Sequence, residues 1–222
     1  MVRNSWGLLL LLAALAFLVN CAKTDVPPAA TQAASPPATS LTPSTPPANA
    51  ALAIVAAARD QVGTTLTYDP AYTPLSYPGG DVALAKGVCT DVVIRALRSS
   101  LQMDLQQLVH EDMKNAFAQY PQQWGLKGPD ANIDHRRVPN LRRYFERRGY
   151  SIPVTAQKAD YLPGDLVTCT VAGKLPHIMV VSDRQTADGV PLVIHNIGGG
   201  AQEEPRLFEF PLTGHYRIKV LR

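Results

Sequence analysis

Apolar residues recur at three- and four-residue intervals in the first part of the folded chain, then at two-residue intervals or in short continuous runs. Residues 50–61 are alanine-rich, with Leu52, Val55 and Ala56 on one side, Asn49 placed to cap the start and Gly63 to stop the end, which predicts a helix. Val92, Val93, Ala96 and Leu97 keep helical spacing from Cys89, so a second helix opens directly after Gly87-Val88. Leu105, Leu108, Val109, Met113, Ala116, Phe117 and Tyr120 make a third, started by the near capping box Asp104 to Gln107 and ended at Pro121. His110 falls off that stripe and is expected at the surface. Leu141, Tyr144 and Phe145 give a fourth helix, closed by Gly149.

Between these, residues 64–83 carry tyrosine-proline turn signals and residues 124–138 form a long connection. After the turn Pro163-Gly164-Asp165 the period becomes extended. Strands are predicted at 166–171, 178–181 and 192–197, with Asp188-Gly189 as a hairpin turn, and two more at 207–211 and 216–221. Helices first and a meander of strands afterwards predict an α+β domain with N-terminal helices packed on an antiparallel sheet.

The first 49 residues follow a different logic. Arg3 precedes a 14-residue apolar run from Trp6 to Val19, too short for an ordinary membrane span, and Leu18-Val19-Asn20-Cys21 follows in the manner of a lipoprotein signal. Residues 1–21 are thus expected to be a signal peptide with Cys21 as the lipidated N-terminus; ordinary cleavage and an uncleaved anchor are the alternatives. Alanine, proline, threonine and serine fill 22 of the 27 positions from 24 to 50, so residues 22–49 are expected to be a disordered tether and residues 50–222 the domain. Ala22 after the cysteine resembles diderm lipoproteins held at the outer membrane on its periplasmic side, and the expected membrane contact is that anchor.

With 46% hydrophobic and 18% charged residues and a net charge of +3, the chain is long enough for one domain with a sizeable core. The charge is too small to argue for nucleic acid, and a monomer is expected. Arg142, Arg143, Arg147 and Arg148 suit the wet face of one helix, with contact to an anionic ligand as the other reading.

The candidate chemistry starts at Cys89, delivered by a glycine turn to the first turn of a helix. A free thiol titrates near ~8.5, and a helix N-terminus stabilises the anion by only about 0.3–1 kcal/mol. Lowering the thiol to ~6.5 requires about 2.7 kcal/mol, so a cationic partner is needed. Otherwise the cysteine is a small buried hydrophobe. His177 begins the second predicted strand and His195 lies near the end of the third, and a hairpin sets those two positions side by side. An imidazole that takes the thiol proton and is oriented by a second polar group is what a cysteine nucleophile requires. Asn132-Ile133-Asp134-His135-Arg136-Arg137 could line a cleft, with Asp134, His135 and Arg136 as substrate contacts, or could cap the next helix through Asp134.

Tyr77, Gly87-Val-Cys89-Thr-Asp, Pro163-Gly-Asp-Leu-Val, Pro176-His177-Ile-Met-Val-Val and Val193-Ile-His195, in that order, resemble the NlpC-type, papain-like cell-wall cysteine peptidases. Together with Asn132-Ile-Asp-His-Arg-Arg-Val-Pro-Asn-Leu, His195-Asn-Ile-Gly-Gly-Gly and Thr213-Gly-His-Tyr-Arg, the chain from residue 50 resembles an uncharacterised exported bacterial family within that superfamily. The resemblance implies a papain-like fold, with Cys89 as nucleophile, His177 as base, His195 as orienter and Tyr77 at the oxyanion site. Asn196 is the alternative third residue and a further candidate substrate contact. It also implies an amide-cleaving hydrolase acting on peptidoglycan stem peptides through a thioester, without cofactor or metal.

Three rival readings stay open. Cys169 shares a strand face with Val167 and Val171 as a core residue, or forms a disulfide with Cys89. The domain could bind wall peptides without cutting them. A zinc hydrolase lacks any His-x-His or His-Glu-x-x-His spacing.

Overall fold

The computed structural model describes residues 48–219. The signal segment, Cys21 and nearly all of the expected tether lie outside these residues. Among the described residues, no helix is long and apolar enough to cross a membrane.

Helix α1 (Ala48–Arg59) starts two residues before the expected position, so Asn49 lies within it rather than capping it. Its buried side is Ile54, Val55 and Ala58, while Leu52 is exposed. Small alanines leave several faces nearly equivalent, and the bulkier Ile54 and Val55 take the core. Helix α2 (Cys89–Leu101) is buried along its first nine residues and sits at the centre, packed on α1 and on the sheet.

Asp104 caps α3 (Leu105–Ala116) by accepting the Gln106 N–H at 3.2 Å. A 3₁₀ turn (Phe117–Gln119) continues it. His110 is not at the surface: it is 9% exposed, with its ring edge-on to Tyr77 at 5.0 Å. Helix α4 (Val138–Arg147) buries Leu141, Tyr144 and Phe145 as expected. Its arginines do more than face water. Arg142 reaches the Thr213 carbonyl at 2.9 Å, Arg147 the Asp112 carboxylate at 2.6 Å and Arg143 the Gln119 carbonyl at 2.9 Å, while Arg148 lies 5.2 Å from the centre of the Tyr144 ring.

Two short strands, β1 (Thr67–Tyr68) and β2 (Lys86–Gly87), pair in parallel ahead of α2. The main sheet holds β3 (Ser151–Ile152), β4 (Leu166–Val171), β5 (Leu175–Gln185), β6 (Pro191–Asn196), β7 (Ala201–Glu204) and β8 (Leu212–Tyr216), in the order β3-β8-β4-β5-β6-β7. All of its pairs are antiparallel. The α+β architecture is as expected, but residues 207–211 are not a strand. Pro205 and Pro211 bracket that segment and deny it ladder donors. The edge next to β6 is taken instead by β7, which the glycine turn at 198–200 brings straight back. The last strand begins at Leu212, four residues before its predicted start.

Strand alternation divides the core. Leu166, Ile178, Val180 and Ile194 pack under α1 and α2 with Val92, Val93 and Leu97. On the other face Val167, Cys169, Met179, Val181 and Val193 pack with Tyr161 and Leu207. Asp165 and His215, from two of the blocks singled out in the sequence, join strands. The Asp165 carboxylate bonds His215 Nε2 at 2.8 Å and Arg217 through both oxygens at 2.7 Å, and Tyr161 stacks on His215 at 4.3 Å.

Gly200 has φ +88°, and a Cβ there would lie 2.5 Å from the Thr65 carbonyl oxygen. Gly200→Ala is expected to destabilise the domain by about 1–3 kcal/mol through that contact and the left-handed backbone, read as a lower urea midpoint at unchanged slope.

Candidate active site

Cys89 is the first residue of α2, and its entry is set by Asp91, whose carboxylate accepts the Val88 N–H at 2.7 Å. A side chain at Gly87 would meet that carboxylate at 3.0 Å, so glycine there lets Asp91 close over the turn. The sulfur faces the backbone N–H groups of Ile178, on β5, and of Thr90. Those two donors do not outweigh enclosure. Cys89 is 4% exposed, and burial pushes its thiol up to about 12. This corrects the expected lowering to ~6.5: a helix end assists an anion by less than burial costs it.

His177 and His195 are neighbours, as the hairpin argument required. His177 Nε2 lies 2.8 Å from His195 Nδ1, with the rings edge-to-face. The chain continues: His195 Nε2 lies 3.1 Å from Glu204 Oε2 on β7, and Arg206 Nε holds the same oxygen at 3.0 Å. Glu204 escaped the sequence reading because β7 itself was missed; the strand that follows a Gly-Gly-Gly turn was the available signal. Burial, reinforced by His195, pulls His177 down to about 3. Burial lowers His195 as well, against the pull of Glu204. Among the described residues no hydrogen bond joins Cys89 to His177. The Cys89 thiol is influenced by the backbone N–H of Ile178, the residue that follows the histidine, while the register pairs His177 itself with Cys169, and thiol and imidazole are both uncharged.

Asn196 is not part of the imidazole chain. Its Nδ2 donates to the Gly87 carbonyl at 3.0 Å, which ties β6 to the turn before Cys89. Cys169 is the Cα partner of His177 across β4 and β5, and both it and Cys89 are free buried thiols, so the disulfide alternative is not formed. Among the described residues, no three His, Cys, Asp or Glu side chains are grouped to hold a metal ion.

The 132–137 block is a clamp more than a cleft wall. Arg136 grips both oxygens of Asp91 at 3.0 and 2.9 Å and donates to the carbonyls of Ala71 and Asp69 at 3.2 and 3.3 Å. Asn132 Oδ1 accepts the Leu75 N–H at 2.8 Å. Asp134 turns inward to the Asp130 N–H and to Arg137, and it does not cap the next helix, whose N-cap is Arg137 with no side-chain cap bond. His135 is 2% exposed, its Nδ1 unpartnered, and burial pulls it down to about 4. Asp134 and His135 are buried, and of the three only Arg136 lines the cavity that Cys89 walls.

That cavity, of about 270 Å³, is walled by Cys89, Tyr68, Trp124, Arg136, Arg137 and Pro176, among others. Tyr77 is not among its residues and packs on His110 instead. Tyr68 stands there because β1 pairs with β2 in register Tyr68 to Gly87. Burial first, and then Cys89, push its phenol up to about 12, so it stays an O–H donor. Tyr68-Asp69-Pro70 reads in the sequence only as a turn, and the pairing that moves it beside the cysteine is non-local. Arg137 lies 4.1 Å over the Trp124 ring, giving the opposite wall a cationic, aromatic character.

Together these features define an α+β protein that seats a buried thiol, a phenol and two guanidiniums around one cavity, and that carries on β5 and β6 a linked pair of imidazoles which are not among the cavity's lining residues. Residues 55–218 match the family described as "Domain of unknown function (DUF1287)". The chain belongs to that family. It is 58% identical over 173 residues to the "Uncharacterized protein YijF" of Escherichia coli (strain K12), covering 78% of this chain and 84% of that protein. No solved structure matches it.

Two outcomes are expected. Asp91→Ala leaves Arg136 as an unpaired buried charge and frees the Val88 N–H, and is expected to cost about 3–5 kcal/mol in denaturant unfolding. Iodoacetamide should alkylate native Cys89 slowly at pH 7 and faster only as the pH rises into the alkaline range, because the raised thiol yields little thiolate. Rapid alkylation at pH 7 would mean a thiolate at rest, against the neutral state described.

Proposed function

We propose that this protein is a cysteine-dependent amide hydrolase of the papain-like, NlpC type, with Cys89 as nucleophile and His177 as base. The observation that carries the reading is the chain Glu204, His195, His177, which ends beside the strand residue whose N–H faces the Cys89 sulfur. A nucleophile, a base and a group that orients the base are what thiol catalysis needs.

Because both groups rest uncharged, the thiol proton passes to His177 as the sulfur attacks the carbonyl carbon, rather than beforehand. The carbonyl π pair becomes an oxyanion, taken up by the Cys89 N–H and the Tyr68 hydroxyl in the place first given to Tyr77. The His177 imidazolium then protonates the leaving amine as the C–N bond breaks. Water, deprotonated by the same ring, hydrolyses the thioester and returns the thiol.

The substrate class rests on the sequence resemblance and on the exported, lipid-tethered organisation expected of residues 1–49, which together point to peptidoglycan stem peptides in the periplasm. The Arg137 and Trp124 wall suits a peptide that bears a carboxylate. A second reading, a binding module that does not cut, is favoured by the resting neutrality of thiol and ring.

Digestion of whole sacculi separates the two readings. Wild type is expected to release stem-peptide fragments detectable by mass, with Cys89→Ala and His177→Ala at least roughly a thousandfold slower and Cys169→Ala near wild type. Identical profiles for wild type and Cys89→Ala would leave only the binding module.

A further inference from the structure

The imidazole pair has one end that fixes the protons of the whole chain. Glu204, as a carboxylate, only accepts hydrogen bonds, so His195 must present a proton on Nε2 across the 3.1 Å separation. A neutral His195 then has a bare Nδ1, and His177 Nε2, at 2.8 Å, must donate to it. His195 is fully buried, so water does not reach its ring, while the Glu204 carboxylate is partly exposed. Arg206 Nε holds the accepting oxygen at 3.0 Å. Register sets the arrangement: His195 pairs with Gln202, and Glu204 is two residues further on the same face of β7.

We propose that Glu204 is a positioning residue which, through His195, fixes His177 in the tautomer protonated at Nε2, leaving the Nδ1 lone pair as the base. Nδ1 of His177 has no hydrogen-bond partner among the described residues, in keeping with a nitrogen left for an incoming proton. The catalytic meaning of this assignment rests on the hydrolase reading above, but the tautomer does not. With the carboxylate removed, His195 is free to protonate at Nδ1 and donate to His177 Nε2, which places the His177 proton on the wrong nitrogen.

The test is a long-range proton–nitrogen NMR spectrum of the purified full chain labelled at histidine, with His177 and His195 assigned by single substitutions. In wild type both rings are expected to carry their proton on Nε2. Glu204→Ala is expected to move His177 wholly or partly to the Nδ1–H form. Glu204→Gln is expected to keep the wild-type pattern, because its amide oxygen accepts the same bond from His195 Nε2. A wild-type His177 protonated on Nδ1, or a folded Glu204→Ala with an unchanged tautomer, overturns the proposal; the wild-type spectrum decides even if Glu204→Ala fails to fold. On sacculi, Glu204→Ala is expected to lower kcat by about ten- to a hundredfold at unchanged KM, with Glu204→Gln close to wild type. A tautomer shift in a protein that releases no fragments in any form would leave the Glu204 assignment standing and remove the hydrolase reading alone.

Discussion

The carboxylate of Asp91 is the point on which the site turns. It closes the first turn of α2 by accepting from Val88, and it takes both arms of the Arg136 guanidinium in a pair whose side chains are 4% and 2% exposed. Arg136 in turn holds the carbonyls of Asp69 and Ala71. One buried ion pair thus links the helix that carries the thiol, the turn at 134–136 and the loop that follows Tyr68. Buried pairs of this kind add little net stability over apolar packing, but they specify one arrangement strongly because either partner alone is costly. A site assembled from three distant stretches benefits from that specificity.

Enclosure and ionisation pull in opposite directions at Cys89. Packing the first turn of α2 against Ile178 removes the sulfur from water, which raises the thiol, while that contact brings the Ile178 N–H and the helix turn itself supplies the Thr90 N–H, two donors that a thiolate would use. The imidazole side behaves alike: burial lowers His177 and His195 while Glu204 opposes it. Burial therefore favours the uncharged form of both the thiol and the imidazoles.

Much of this was legible in the chain. Helical spacing places α2, α3 and α4, and the hairpin argument puts His177 against His195. What escaped depends on contacts between distant residues. Tyr68 reaches the cavity through a two-residue parallel pairing that leaves no periodic trace, and the tyrosine-proline turn at Tyr77 is the more conspicuous signal in the sequence. His110 breaks the apolar stripe of α3, yet Tyr77 covers it. Asp134, His135 and Arg136 read in the sequence as a polar loop able to line a cleft or to cap a helix, whereas the first two face inward. Glu204 lies on a four-residue strand rich in polar side chains, for which alternation gives no signal.

The short outer strands of the main sheet carry a consequence for how any extended chain could be recognised. Ser151–Ile152 closes one side of the sheet with only two residues, and on the other side Ala201–Glu204 points Glu203 at Arg59 and Glu204 at His195. Neither border offers a long ribbon of vacant amides and carbonyls for main-chain zippering. An extended peptide laid along either border would have few main-chain partners and would have to be held through its side groups and termini.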